Sequence, residues 1–202
     1  MTDTLSAQDI APKARGQWSK ILIMATIVVP MVVAYVVYQT GFGMPAGTIN
    51  KGELLVPPVQ ITELALTNSE GAINFASEQK KWRLLVPAFG HCTGACEQSL
   101  YLTRQVHKRL NEKYPRVERW VLTDIAKPAF TDLLAAEYPG AKVINTDKAA
   151  WASLLATTNQ PNGHYYMMDQ NGFIMMAYNT ELHTGNDLLK DVKRMLKFTR
   201  EH

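Results

Sequence analysis

The chain has 202 residues and a net charge of +3, with 47% hydrophobic residues and two cysteines. Its basic residues are interleaved with acids, as in Lys108-Arg109-Leu110-Asn111-Glu112-Lys113, which suits a solvated helix face and speaks against a nucleic-acid partner. No tandem repeat or low-complexity segment is evident, and the roughly 150 residues after Asn50 suffice for one compact domain but not for two.

Residues 1–19 read as a short polar tail. Ile21 to Tyr38 follows as an uncharged, almost wholly apolar run with Pro30 near its middle. At 1.5 Å per residue, about 18 to 20 such residues cross a hydrocarbon core of about 30 Å, and a membrane helix tolerates proline. Residues 20–40 are therefore expected to form a transmembrane anchor. Lys13, Arg15 and Lys20 precede the run and the next basic residue is Lys51, an asymmetry that places the N-terminus in the cytoplasm and the rest across the inner membrane, on the periplasmic side. A cleaved signal peptide is the rival reading, with a buried soluble helix behind it. A signal core is shorter, about 7 to 15 residues, and ends in a small-residue cleavage site.

Residues 41–60 read as a linker and an extended segment, in which Pro57-Pro58 keeps the chain from coiling. A globular domain is expected over 61–202. Trp82 to Phe89 is a continuous apolar run that suits a buried strand, and Glu97 to Tyr114 carries Leu102, Val106 and Leu110 at helical spacing. Val117–Thr123 predicts a second strand, ending at Asp124. A helix is expected over Lys127–Tyr138, a short strand over Lys142–Asn145 and a short helix over Lys148–Ala156. Tyr165–Met168 and Phe173–Tyr178 flank Asp169-Gln170-Asn171-Gly172, a hairpin signal. Asn186 offers an N-cap to a final helix with Leu188, Leu189, Val192, Met195 and Leu196. Strands separated by helices, followed by a hairpin, give an α/β, thioredoxin-like domain behind one membrane helix.

The chemistry-bearing feature is Gly90-His91-Cys92-Thr93-Gly94-Ala95-Cys96, between the first core strand and its helix. On a helical first turn the two cysteines share a face with Cα atoms about 6 Å apart, within disulfide range. A helix N-terminus favours the Cys92 thiolate, and Gly94 lets both sulfurs converge. A static disulfide, a redox pair and a metal site remain open. A loop of about five residues gives a staple of only about 2 kcal/mol. Two thiolates do not fill a zinc site, whereas two thiolates and an imidazole suit Cu(I).

At these residues the chain resembles the Sco-type (SenC-like) copper chaperones of cytochrome c oxidase assembly. The matching stretches are Trp82-Arg83-Leu84-Leu85, Phe89-Gly90-His91-Cys92-Thr93-Gly94-Ala95-Cys96 and Tyr166-Met167-Met168-Asp169-Gln170-Asn171-Gly172. The resemblance implies a membrane-anchored, thioredoxin-like domain in which Cys92, Cys96 and a distant histidine bind copper. It also implies an oxidase subunit or another assembly factor as partner. Thr93-Gly94-Ala95 stands where relatives carry proline and an acid, and Pro161 stands at the relatives' histidine position.

His164, at the entry to the first hairpin strand, is the expected third ligand, with a surface histidine as its alternative. His91, beside Cys92, could also ligate or tune the thiolate. His107 is expected to be exposed, and His183 and His202 have no expected partners. Met167, Met168, Met175 and Met176 fit core filling better than copper ligation, because adjacent strand residues face opposite sides. Asp124 reads as a loop cap. Three functions remain: an oxidase assembly factor that delivers copper or reduces partner thiols, a general membrane-tethered thiol–disulfide oxidoreductase, and a non-catalytic assembly scaffold.

Overall fold

The computed structural model describes residues 15–42, 49–75, 78–124 and 128–199, with the backbone alone at 15–17 and 128. Lys13, Lys127, His202, most of the tail and much of the linker lie outside the described residues. The chain divides into two compact units, Met1–Gly47 and Thr48–His202.

The first unit is one helix, α1, Arg15–Thr40, with Pro30 inside it. Its stretch Trp18–Thr40 is long and apolar enough to cross a membrane as a single pass, and none of its residues is buried within the protein. Thr26 and Thr40 fold their hydroxyls back onto the carbonyls of Ile23 and Val36, so neither presents an unbonded donor.

The second unit is built on a mixed sheet. Its strands are β1 Glu53–Gln60, β2 Thr67–Asn68, β3 Gly71–Ala72, β4 Trp82–Pro87, β5 Val117–Thr123, β6 Ala141–Asn145, β7 Tyr165–Met168 and β8 Phe173–Tyr178. Among the described residues they lie in the order β1-β8-β7-β4-β5-β6-β2-β3. The β4–β5 and β5–β6 pairs are parallel, while β7 runs antiparallel to both β4 and β8. Helices α2 Ala95–Lys108, α3 Pro128–Glu137, α4 Lys148–Ala156 and α5 Gly185–Phe198 complete the domain. The thioredoxin-like α/β reading holds.

Strand alternation sorts the core into two layers. Leu84, Val86, Val121, Tyr165 and Met167 face one side and pack with Leu100 and Val106 of α2, Leu134 of α3 and Leu188 and Val192 of α5. Leu85, Trp120, Leu122, Tyr166 and Met168 face the other and pack with Trp151, Leu154 and Leu155 of α4. The methionines on the hairpin are core: Met167, Met168 and Met176 are fully buried.

Several local expectations change. The segment with Pro57 and Pro58 is an edge strand of the sheet, paired to β8 with an irregularity between Leu54 and Val59. Prolines cannot donate to the ladder, so the backbone there needs another partner. Asn159 supplies it: its carboxamide accepts from Val56 N–H at 2.8 Å and donates to Leu54 C=O at 3.1 Å. The helix after the cysteines stops at Lys108 rather than Tyr114. Leu110 turns into the core, Asn111 takes φ +51°, and a 3-10 segment Asn111–Arg116 carries Pro115. The cap of α5 is Thr184, whose N–H and hydroxyl both donate to Asp187. Asn186 instead accepts from Arg109 at 2.7 Å.

Candidate functional site

The site forms where β4 leaves the sheet. Ala88 N–H still donates to Leu122 C=O at 2.7 Å, prolonging the pairing with β5. The chain then turns through Gly90 at φ +77° and Gly94 at φ +58° before α2 begins at Ala95. Both φ values lie where a side chain would strain the backbone, which explains glycine at each end of the loop.

Cys92 and Cys96 are joined as a disulfide with Cα atoms 5.2 Å apart. Cys96 sits in the first turn of α2, while Cys92 lies before the helix. The expectation that Cys92 opens the helix is thus corrected: the left-handed residue at Gly94 delays helical geometry until Ala95. Gly94 offers no side chain to the first-turn N–H groups; that of Cys96 donates to Thr93 C=O at 3.2 Å, and the helix dipole there still favours a developing thiolate. Both cysteines are half-buried against the core layer of α2 and α5.

A groove of about 570 Å³ opens beside the disulfide. Cys92 lines it and Cys96 does not. Leu100 lies below, Phe130 and Leu133 of α3 form an apolar wall, and Glu97, Glu137 and Tyr138 stand around them. Burial first, then the Glu137 and Glu97 carboxylates, push the Tyr138 phenol up, while Arg104, 6.0 Å from its ring, works the other way. Sequence reasoning missed the α3 wall. Its signal is that α3 carries more apolar residues than the core uses: Leu134 is buried, whereas Leu133 is 47% exposed.

His91 is exposed and lines the same groove. His164 enters β7 at the end of the sheet where β4 departs, as expected from the antiparallel pairing. Its ring is already engaged: Nδ1 accepts from Thr180 N–H at 3.1 Å and lies 2.9 Å from Thr180 Oγ1, which leaves the proton on Nε2. Among the described residues no three of His, Cys, Asp and Glu gather into a metal-binding group, so Cys92, Cys96 and His164 are not brought together as a ligand set. The donors present fit two soft thiolates after reduction, a number that suits Cu(I), and do not fit a three-ligand centre.

His107 and His183 are structural. His107 is half-buried rather than exposed, and its Nε2 meets Val117 C=O at 2.8 Å. Desolvation lowers its pKa, against the pull of that hydrogen bond. His183 packs edge-on to Tyr178, and its Nδ1 receives Asn179 N–H at 3.0 Å. Asp124 is exposed at the end of β5.

A disulfide between a central strand and its crossover helix, on a sheet that ends in a β-hairpin and a helix, defines a thioredoxin-like protein. Residues 82–199 match the model of the family described as transmembrane-like, thioredoxin-like, C-terminal domain, and the chain belongs to that family. No curated protein matches the chain in sequence. Among solved structures it is similar in fold to copper-bound yeast Sco1, at 14% identity and a TM-score of 0.53, over 76% of this chain and 97% of that one. Copper-bound ScoI of Arabidopsis thaliana is similar at 14% identity and a TM-score of 0.53, over 74% and 99%. BsSco, a member of the Sco family of cytochrome c oxidase assembly proteins with an identified disulfide switch, is similar at 17% identity and a TM-score of 0.50, over 76% and 100%. The fold resemblance read from the sequence therefore holds, at low identity.

Proposed function

We propose that the chain is a membrane-anchored thiol–disulfide factor in cytochrome c oxidase assembly, with its domain on the periplasmic side and Cys92 and Cys96 as the working pair. The carrying observation is the Cys92–Cys96 disulfide with Cys92 lining the groove. In the reduced protein the Cys92 thiolate attacks one sulfur of a partner disulfide and displaces the other as thiolate. Cys96 then attacks Cys92 and releases the second partner thiol. Two electrons and two protons pass to the partner, and an external dithiol donor must return the pair to the reduced state. The glycines at 90 and 94 let the sulfurs move between disulfide and dithiol separations, and the α2 N-terminus stabilises the negative charge in both steps.

Copper delivery is the second reading. Reduced Cys92 and Cys96 would hold Cu(I) as cargo between two soft sulfurs. His164 would join as a third ligand only after giving up its Thr180 contact, because that hydrogen bond and the Nε2 proton occupy both ring nitrogens, and His91 in the groove is its competitor. The copper bound in the similar yeast and Arabidopsis structures favours it; the absence of a gathered third ligand among the described residues favours thiol exchange.

The test is oxidase content in membranes of cells whose only copy of this chain is Cys92→Ser or Cys96→Ser. Both variants should lose assembled oxidase as a deletion does. Full complementation by either variant would leave the scaffold reading in its place, and oxidase unaffected by the deletion itself would leave the general oxidoreductase reading.

A further inference from the structure

The outer face of α5 is cationic. Lys190, Lys193, Arg194 and Lys197 recur at three- and four-residue steps, so they share one side of the helix, opposite the buried Leu188, Val192 and Leu196. Lys51 joins them across a groove of about 440 Å³, which ends in Ile49 and Phe198, each 76% exposed. Among the described residues none of these five cations is in an ion pair. Arg194 has a further sign of a missing partner: its Nη1 is buried with no hydrogen bond. The acid that lines the groove, Asp191, is occupied by Lys51 N–H, Gly52 N–H and the Tyr178 hydroxyl. Asp187 stands at the edge of the face, bonded to Thr184, and faces Lys190 and Lys51.

We infer that this face rests on an anionic phospholipid surface, that of the membrane holding α1. The inference relies on the anchor reading of α1. Only eight residues of sequence separate Thr40, the last of α1, from Ile49 at the end of the groove. Lysine and arginine clusters are drawn to anionic headgroups, and exposed Ile49 and Phe198 can enter the boundary between headgroup and acyl chain. An apolar rim around a cationic centre is the pattern of an interfacial surface, whereas a soluble acidic partner gives no reason for the two exposed apolar side chains.

The test uses the full chain in lipid nanodiscs, either of phosphatidylcholine alone or with about one-third phosphatidylglycerol, footprinted with an amine-reactive reagent and read by mass spectrometry. Labelling of Lys190, Lys193 and Lys197 should fall about threefold or more in the anionic discs and recover at about 0.5 M salt, because the attraction is screened. The exposed Lys108 and Lys148 should label equally in both. The Lys190→Gln, Lys193→Gln double variant should lose the protection of Lys197. Equal labelling in the two lipids overturns the inference, as does equal protection in both. Protection only in native membranes, and not in anionic discs, assigns the face to an acidic protein instead. Failure of the chain to enter discs refutes the anchor separately. The chain should then still float with anionic vesicles and not with zwitterionic ones, and flotation with neither overturns the inference.

Discussion

The Asp191 carboxylate accepts the backbone N–H of Gly52 at 2.8 Å, joining positions 139 residues apart in sequence. It also takes Lys51 N–H at 2.9 Å and the Tyr178 hydroxyl at 3.1 Å, so one buried side chain fixes the start of the domain to α5 and to β8. Asp191→Ala leaves three donors without an acceptor. Loss of about 3 kcal/mol is expected, with Asp191→Asn milder, as measured by urea unfolding.

Arg83 and Glu118 make a second buried tie, between adjacent strands. Arg83 is fully buried, packs over Trp120 at 4.7 Å, and lies 3.4 Å from Glu118 at an angle that makes an ion pair without a hydrogen bond. Burial works against the Glu118 charge, but Lys142 at 3.0 Å, then Arg83 and the Trp120 N–H, outweigh it and hold the carboxyl below its ordinary value of 4.5. The unfolded chain therefore binds the proton first. The stabilisation is present above about pH 4.5 and is lost as pH falls through the lower folded value. Glu118→Gln should cost about 2 kcal/mol at pH 7, because the buried Arg83 loses one of its two carboxylate partners and keeps only Glu78, at 3.3 Å. It should also flatten the acid side of a stability-versus-pH curve measured by urea midpoints. A curve as steep as that of the parent chain would contradict the assignment.

Gly94 separates the two cysteines at φ +58° and ψ −114°, with no atom within 4 Å of where a Cβ would stand. The cost of a side chain there is conformational alone. Gly94→Ala is expected to destabilise by about 1 to 2 kcal/mol and to slow disulfide closure between Cys92 and Cys96. Stopped-flow oxidation of the reduced chain reads the second effect. Closure at the parent rate would mean that the loop does not control the approach of the sulfurs.

These glycines also mark how far the sequence could be read. The core strands and the helix Lys148–Ala156 were legible because their apolar residues follow local periods, and the hairpin announced itself at Asn171-Gly172. The edge strand through Pro57-Pro58 was not, because the group that completes its backbone bonding is Asn159, about a hundred residues away. The cysteine pair was visible at once. Its groove was not, since the wall comes from Phe130 and Leu133, whose exposure depends on where α3 docks. His164 was placed at the correct end of the sheet, yet nothing local reveals that Thr180 would occupy its Nδ1.

That contact separates two effects of His164→Ala. Losing the acceptor for Thr180 N–H should cost about 1 kcal/mol of stability, by thermal unfolding. In an anaerobic titration of the reduced chain, Cu(I) uptake should persist, because two thiolates suffice, while Cu(II) binding weakens more. Loss of Cu(I) uptake would make His164 an obligatory ligand. A larger loss in His91→Ala would move the third ligand into the groove.

The most direct measurement is the equilibrium redox titration of Cys92 and Cys96 in the full chain. A working pair has to open under biological donors, and a loop of about five residues gives little entropic protection to the disulfide. The midpoint is expected well above about −300 mV, the level below which structural disulfides lie. A midpoint below that level would make the bond a static staple and contradict the proposed function.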